Sequence, residues 1–293
     1  MKIPIGTNMS IKLYLKDNRF SYNINEILET DVGDEYEITD RISAGGNGVV
    51  HKCLDTAGNE YAIKFQLRNR DNRSQRFLRE QKLLATLQHE HSITYVAHGQ
   101  IEANFLRNKG KSSVEQIPFV IMELAKHNLS DYIQTSLIGS EVYFAQFRGL
   151  TKALANLHQY AIHRDIKPNN ILISGERWLL SDYGLCAFLD DDTEQLTRIN
   201  EIVGPRFWMS PEANNRSVGG NDEIDKSSDV FQLAAVFWFI VNRTHPTGVL
   251  TKNDWHGPEK LFEPIFKALH YDKSVRPKDG VEFSKQIENS ILS

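Results

Sequence analysis

Two thiols, Cys53 and Cys186, are all that 293 residues offer for cross-linking. A disulfide framework is thereby excluded and a reducing compartment is expected; neither cysteine has a metal-ligating neighbour at useful spacing. Basic charge is also short: 34 Lys and Arg stand against 38 Asp and Glu, for a net charge of −4 and a pI near 6.2. A face that follows a phosphodiester backbone needs a clustered excess of cations, so no nucleic-acid partner is expected. The one basic cluster, Arg68, Arg70, Arg73, Arg76 and Arg79, falls where a helix is expected. It reads first as a solvated face, and second as a docking surface or an anchor for a phosphorylated loop. Long apolar runs are missing too. The longest, Val230 to Val241, is broken by Gln232, is too short to span a bilayer and reads as a buried helix. The stretch from Met1 to Asn8 lacks both the apolar core of a signal peptide and any lipidation pattern, so a cytoplasmic protein with no membrane partner is expected. There are no internal repeats and no low-complexity tract.

What is present fits one large domain or two lobes of about 100–200 residues each. Residues 1–34 carry short alternations such as Ile11-Lys12-Leu13-Tyr14-Leu15 and read as an N-terminal extension, either a strand pair or a flexible lead-in. From Tyr36 to Phe65 the pattern is strand, glycine turn, strand, turn at Ala57-Gly58-Asn59, strand, as in an antiparallel sheet. Asp71 to Gln88 predicts a helix, with Phe77, Leu83, Leu84 and Leu87 at roughly helical spacing, and Pro118 to Leu124 predicts a strand. The remainder predicts helices near Glu141–Gln159, Ser227–Asn242, Pro258–Leu269 and Asp279–Ile291.

The run His163-Arg164-Asp165-Ile166-Lys167-Pro168-Asn169-Asn170, followed twelve residues on by Asp182-Tyr183-Gly184, carries the chemistry. Phosphoryl transfer needs little covalent help and much management of charge. Asp165 can orient a hydroxyl as catalytic base, Lys167 can neutralise charge building on the transferred group, and Asn170 and Asp182 can hold Mg²⁺ against phosphates. A capped turn with Pro168 as breaker explains the local shape, but not two metal-binding residues in register. At this run the chain resembles the eukaryotic-type protein kinase family, with Tyr183 where Phe is usual.

The resemblance covers roughly residues 35 to 290 and implies an α+β, two-lobed fold. A small antiparallel-sheet lobe with one main helix would span 35–124, and a larger helical lobe 125–293, with ATP and Mg²⁺, or Mn²⁺ in its place, in the cleft. Ser43-Ala44-Gly45-Gly46-Asn47-Gly48 would be the phosphate-covering loop, with Ser43 standing where the first glycine belongs. Seen alone, such a turn is more often a plain hairpin; lying sixteen residues before Lys64, it reads as a phosphate cradle. Lys64, ending Tyr61-Ala62-Ile63-Lys64, would contact the α- and β-phosphates with its head held by Glu80, in preference to Glu90. Val50 and Ala62 would cover the adenine. Met122 would limit the back of the nucleotide site, and the backbone of Glu123 and Ala125 would bond the adenine edge. Glu212 in Met209-Ser210-Pro211-Glu212 should pair with Arg276, and Asp229 should bond the catalytic-loop backbone.

By the same resemblance, Lys167 two residues after Asp165 implies a serine/threonine-directed enzyme, and the segment from Gly184 to Pro211 implies protein substrates. Pro205, where such enzymes carry a threonine, weakens that assignment. Thr193 and Thr197 are candidate autophosphorylation sites that Arg164 could answer, with Asp190, Asp191 and Asp192 as a standing substitute charge. The expectation is a serine/threonine protein kinase acting from Mg-ATP. Its alternatives are a weakly catalytic pseudokinase scaffold, a dual-specificity kinase or a small-molecule kinase.

Overall fold

The computed structural model describes residues 10–15, 20–44, 48–67, 71–107, 112–136, 138–189 and 207–292. Gly45, Gly46, Arg68, Arg70, the stretch bearing Asp190, Asp191, Asp192, Thr193 and Thr197, and Pro205 lie outside them. The chain forms two compact units: the first takes the described residues of Met1–Ala85 and Thr94–Leu124, the second those of Thr86–Ile93 and Ala125–Ser293.

The first unit is an eight-stranded antiparallel sheet with one helix. Its strands are β1 (Ser10–Tyr14), β2 (Phe20–Asn25), β3 (Ile27–Glu29), β4 (Glu35–Ala44), β5 (Gly48–Asp55), β6 (Glu60–Gln66), β7 (Tyr95–Arg107) and β8 (Ser112–Glu123), and its helix is α1 (Asp71–Thr86). In space they run β1-β2-β7-β8-β6-β5-β4-β3. Residues of the predicted extension are thus three strands of the sheet. Side chains alternate across each strand, so register decides what each face carries. Val49 and Cys53 on β5, Ile63 and Phe65 on β6, and Phe119 and Ile121 on β8 turn inward with Leu13, Tyr22 and Ile24 of the first two strands, forming one apolar core. Each fully buried chain of this size contributes about 1.5–3 kcal/mol. The opposite face brings Val50, Lys64 and Val120 into one cross-strand row, and Lys52, Ala62 and Met122 into the next.

The turn at Gly58 (φ +84°) is the expected hairpin, its backbone N–H groups at Ala57 and Asn59 donating to the Asp55 carboxylate at 2.9 and 2.8 Å. Two strands depart from expectation. The strand predicted from Pro118 starts at Ser112, and it pairs along nearly its whole length with β7, which the sequence pattern does not announce. The cause is local: on the inward face of β7, Ile101 and Phe105 alternate with Ala97, Gly99 and Ala103, which are too small to register as apolar alternation. Gly99 must be small, because a Cβ there would lie 2.6 Å from the Phe119 ring. The helix predicted to Gln88 stops at Thr86, since the backbone beyond turns to pair with another strand: Ile93 N–H donates to Leu180 O at 3.0 Å, and Leu180 N–H to His91 O at 2.8 Å.

The second unit is mainly helical. After β9 (His127–Asn128) come α2 (Leu129–Thr135) and α3 (Ser140–Leu157), then short strands β10 (Ala161–Ile162), β11 (Ile171–Ser174), β12 (Arg177–Leu180) and β13 (Ala187–Phe188). Helices α4 (Pro211–Ser217), α5 (Lys226–Asn242), α6 (Glu259–Ala268) and α7 (Gly280–Leu292) follow, so the four predicted helical segments are all present as α3, α5, α6 and α7. Helix α5 is the core of this unit. It starts at an Asp225 cap reciprocated by Ser228, and Phe237 stacks on Phe147 of α3 at 3.8 Å. Among the described residues no helix is long and apolar enough to cross a membrane.

Candidate active site

The site in the second unit hangs from one buried carboxylate. Asp229, on the first turn of α5 and fully buried, accepts the backbone N–H of His163 at 2.6 Å and of Arg164 at 2.8 Å, while His158 Nε2 lies 3.1 Å away. A buried carboxylate is stable only when its lone pairs are engaged, and here they are engaged by the loop it must hold. His158 Nδ1 accepts the Gly280 N–H at 2.9 Å, so its proton sits on Nε2 and is donated to Asp229. Three residues further along α5, Gln232 Oε1 accepts the Ile166 N–H at 3.1 Å and its Nε2 donates to Arg164 O at 3.4 Å. The polar residue that interrupts the apolar run is therefore a second support for the same loop. Sequence reasoning took Gln232 only as a break and missed His158; a glutamine inside an otherwise apolar buried helix was the available signal.

With its backbone held at both sides, Asp165 presents a carboxylate that is nearly buried and fully engaged. Lys167 Nζ donates to Oδ1 at 3.0 Å and Oδ2 at 2.8 Å; Asn170 Nδ2 donates to Oδ2 at 2.8 Å and to the Asp165 carbonyl at 2.9 Å. The three predicted catalytic side chains are thus one constellation. Asn170 closes the 3-10 turn Pro168–Asn170, and its own carbonyl accepts both the N–H (3.0 Å) and the Oγ–H (2.9 Å) of Ser181. Asp182, the predicted metal partner, follows directly and is exposed, with φ +61°. Arg164 has φ +67° and donates from Nε to Leu185 O at 2.7 Å, so part of its guanidinium is already committed. Tyr183 is buried with its hydroxyl on Leu180 O at 2.9 Å, which explains how a phenol stands where phenylalanine is usual.

The residues present fit a magnesium ion. Hard oxygen donors are what Mg²⁺ requires, and it takes few from protein when phosphates and water supply the rest. Asn170 turns its amide nitrogen to Asp165, which by the geometry of a primary amide turns its carbonyl oxygen away, on the turn tied to the residue before Asp182.

The first unit carries the other predicted residues. Lys64 Nζ meets Glu80 Oε1 at 2.6 Å, with the Glu80 side chain 5 % exposed. Sequence spacing selected this partner over Glu90. Val50, Ala62, Lys64 and Met122 share one face of three adjacent strands. Ser43 pairs with Val50 at the end of β4, and Gly48 opens β5, where a Cβ would fall 2.5 Å from the Phe65 carbonyl. Glu123 N–H donates to Thr94 O at 2.9 Å, so this backbone donor at the predicted adenine edge is already engaged.

The pair expected between Glu212 and Arg276 is present and bidentate, both bonds at 2.9 Å, with Ser228 Oγ adding a third at 2.6 Å. Burial alone would raise the Glu212 carboxyl; the Arg276 and Ser228 hydrogen bonds outweigh it and hold the group below its usual value.

A lysine gripped by a buried glutamate on a curled sheet, and an aspartate clasped by lysine and asparagine in a helical unit, are the equipment of a phosphoryl-transfer fold. Residues 36–290 match the protein kinase domain, and the chain belongs to that family. It is 29% identical over 222 residues to the probable serine/threonine-protein kinase PknB of Bifidobacterium longum, covering 73% of this chain and 31% of that protein. To the human serine/threonine-protein kinase/endoribonuclease IRE2 it is 28% identical over 205 residues, 66% of this chain and 21% of the other. To the G-type lectin S-receptor-like serine/threonine-protein kinase SD1-13 of Arabidopsis thaliana it is 25% identical over 268 residues, 88% and 30% respectively. The chain spans about a third or less of the length of these relatives.

Proposed function

We propose that this chain transfers the γ-phosphoryl group of Mg-ATP to serine and threonine hydroxyls of protein substrates, and to its own. The observation that carries the reading is Asp165, held by Lys167 and Asn170 on a loop whose backbone is fixed by Asp229. Asp165 orients the acceptor hydroxyl and accepts its proton; Lys167, already within reach of that carboxylate, offsets the negative charge that gathers on the group in flight. Lys64, aimed by Glu80, holds the non-transferred phosphates. When bound between Asn170 and Asp182, Mg²⁺ supplies neutralisation of phosphate charge. Serine/threonine preference rests on Lys167 and on the likeness to serine/threonine-protein kinases. A reducing, cytoplasmic setting is part of this reading and rests on the scarcity of cysteine in the sequence.

Labelled Mg-ATP, incubated with the chain alone and with a generic basic protein, tests this. Phosphate on serine or threonine, mapped by mass spectrometry, is expected for the unaltered chain, and Asp165→Ala should lower the rate by about 10²–10⁴-fold, the usual worth of a positioned base. Equal silence of both proteins, each still binding ATP, would replace the catalytic reading with a nucleotide-binding scaffold. Label appearing on a metabolite but on no protein would reassign the acceptor.

A further inference from the structure

Two buried polar side chains stand next to each other on α1. Glu80 and Gln81 are 4 % and 5 % exposed, with buried Phe77 and Leu84 about one turn before and after them. Adjacent positions on a helix point about 100° apart, so the two side chains reach different parts of the sheet. Glu80 meets Lys64 of β6. Gln81 Nε2 donates to the backbone carbonyl of Phe119 on β8 at 2.9 Å, in a buried hydrogen bond. Strands β6 and β8 are neighbours, with Phe65 opposite Phe119 and Lys64 opposite Val120. The helix is therefore attached to the sheet at two points on adjacent strands. The ion pair with Lys64 accounts for Glu80, but no step of phosphoryl transfer calls for Gln81. Packing does not call for it either, since a buried primary amide costs free energy that an apolar side chain in its place would not.

The two attachments differ in kind. Lys64 carries its charge on a flexible stem, so an ion pair alone would let α1 roll about its axis with the lysine following. The Phe119 carbonyl is backbone, in a strand paired with β7 on one side and β6 on the other, and it cannot follow. A helix tied to that carbonyl has one rotation, and Glu80 is then presented at one place. We propose that Gln81 is a positioning residue for the nucleotide: by tying α1 to the Phe119 carbonyl it fixes the rotation of the helix, so that Glu80 holds the Lys64 ammonium where it meets the phosphates. This rests on the kinase reading above, through Lys64.

The test is Mg-ATP binding by calorimetry, steady-state kinetics with separate titrations of Mg-ATP and acceptor, and a melting curve, on single and paired variants. Gln81→Met keeps the length of the side chain and removes the donor, so the melting temperature should hold while the Kd and KM for Mg-ATP rise about fivefold. The KM for acceptor should stay within about twofold, a split that general loosening does not produce. In a Glu80→Gln background the ion pair is already lost, and Gln81→Met should then change the Kd by no more than about twofold, because both substitutions act on one interaction. If Gln81→Met leaves the nucleotide Kd and KM where they were, whatever its melting temperature, the bond is structural only and the proposal falls. The same rise repeated in the Glu80→Gln background would show Gln81 acting apart from Glu80, and would overturn the proposal as well. If Gln81→Met does not fold, Gln81→Asn, which keeps the amide but is one methylene shorter, is read in the same way. An unaltered chain that neither binds nor turns over Mg-ATP would overturn the kinase reading itself, and the role of Gln81 with it.

Discussion

Tyr183 shows how one atom can be accommodated at a buried functional turn. Its hydroxyl donates to the Leu180 carbonyl, which also receives the Ile93 N–H at 3.0 Å. Removing the hydroxyl therefore strands no acceptor, and Tyr183→Phe should cost about 0.5–1.5 kcal/mol with turnover retained; chemical denaturation and an initial-rate assay check both halves. Residues at this scale were legible to different degrees. Asp165, Lys167, Asn170 and Asp182 stand close together in one linear run, whereas Lys64 and Glu80 were picked out by resemblance to the kinase family, Glu90 falling beyond the expected helix. His158 could not be read, because it acts through Asp229, a partner far away in the chain.

Among the elements, α5 matters most because it does two jobs. Its apolar flank builds the core, and Asp229 and Gln232 leave that flank to hold the backbone of residues 163–166. Asp229→Ala leaves two backbone N–H groups and the His158 proton buried without an acceptor. Such losses cost about 3–5 kcal/mol where a buried charge network is broken, and turnover should fall further than the folded fraction does. Asp229→Asn keeps the volume but turns an amide N–H toward a donor, so it should share the loss of turnover with a smaller change in stability; comparing kcat with the melting curve of each variant separates the two effects. Helices were readable at this scale because their apolar spacing is long and repeated. Strand β7 was not, since Ala97, Gly99 and Ala103 interrupt the apolar pattern at its inward positions, Gly99 lying close against the Phe119 ring. Nor was the fate of the first strands legible: their alternation is genuine, but only pairing with the long β7 hairpin decides that they join the sheet.

Across the whole molecule, buried titrating groups set the pH range in which the fold is stable. Burial pushes His51 in the first unit, and His89, His91 and His245 in the second, below the ordinary histidine value of 6.5. The folded chain then binds fewer protons than the unfolded one, so stability falls as pH drops below 6.5. Glu212 and Asp225 are held low by Arg276 and Lys273 against the cost of their burial, and their contribution is lost only further down, as pH falls below the ordinary 4.5 and 3.8. On the alkaline side, burial pushes the Cys53 thiol up to about 12 from 9.0, so the unfolded chain ionises first and stability declines above 9.0. Melting temperature should therefore be flat between 6.5 and 9.0 and slope away on both sides; a maximum below 6.5 would contradict the histidine assignment. Family and fold class were legible at this scale because the motifs fall in a fixed order along the chain.

The suspension of the loop from Asp229 has one consequence for pharmacology. The two bonds to residues 163 and 164 are short, 2.6 and 2.8 Å, and hydrogen bonds weaken steeply with distance and angle. A compound that displaced the first turn of α5 would disorient Asp165 without touching nucleotide or acceptor, and inhibition would be noncompetitive toward both.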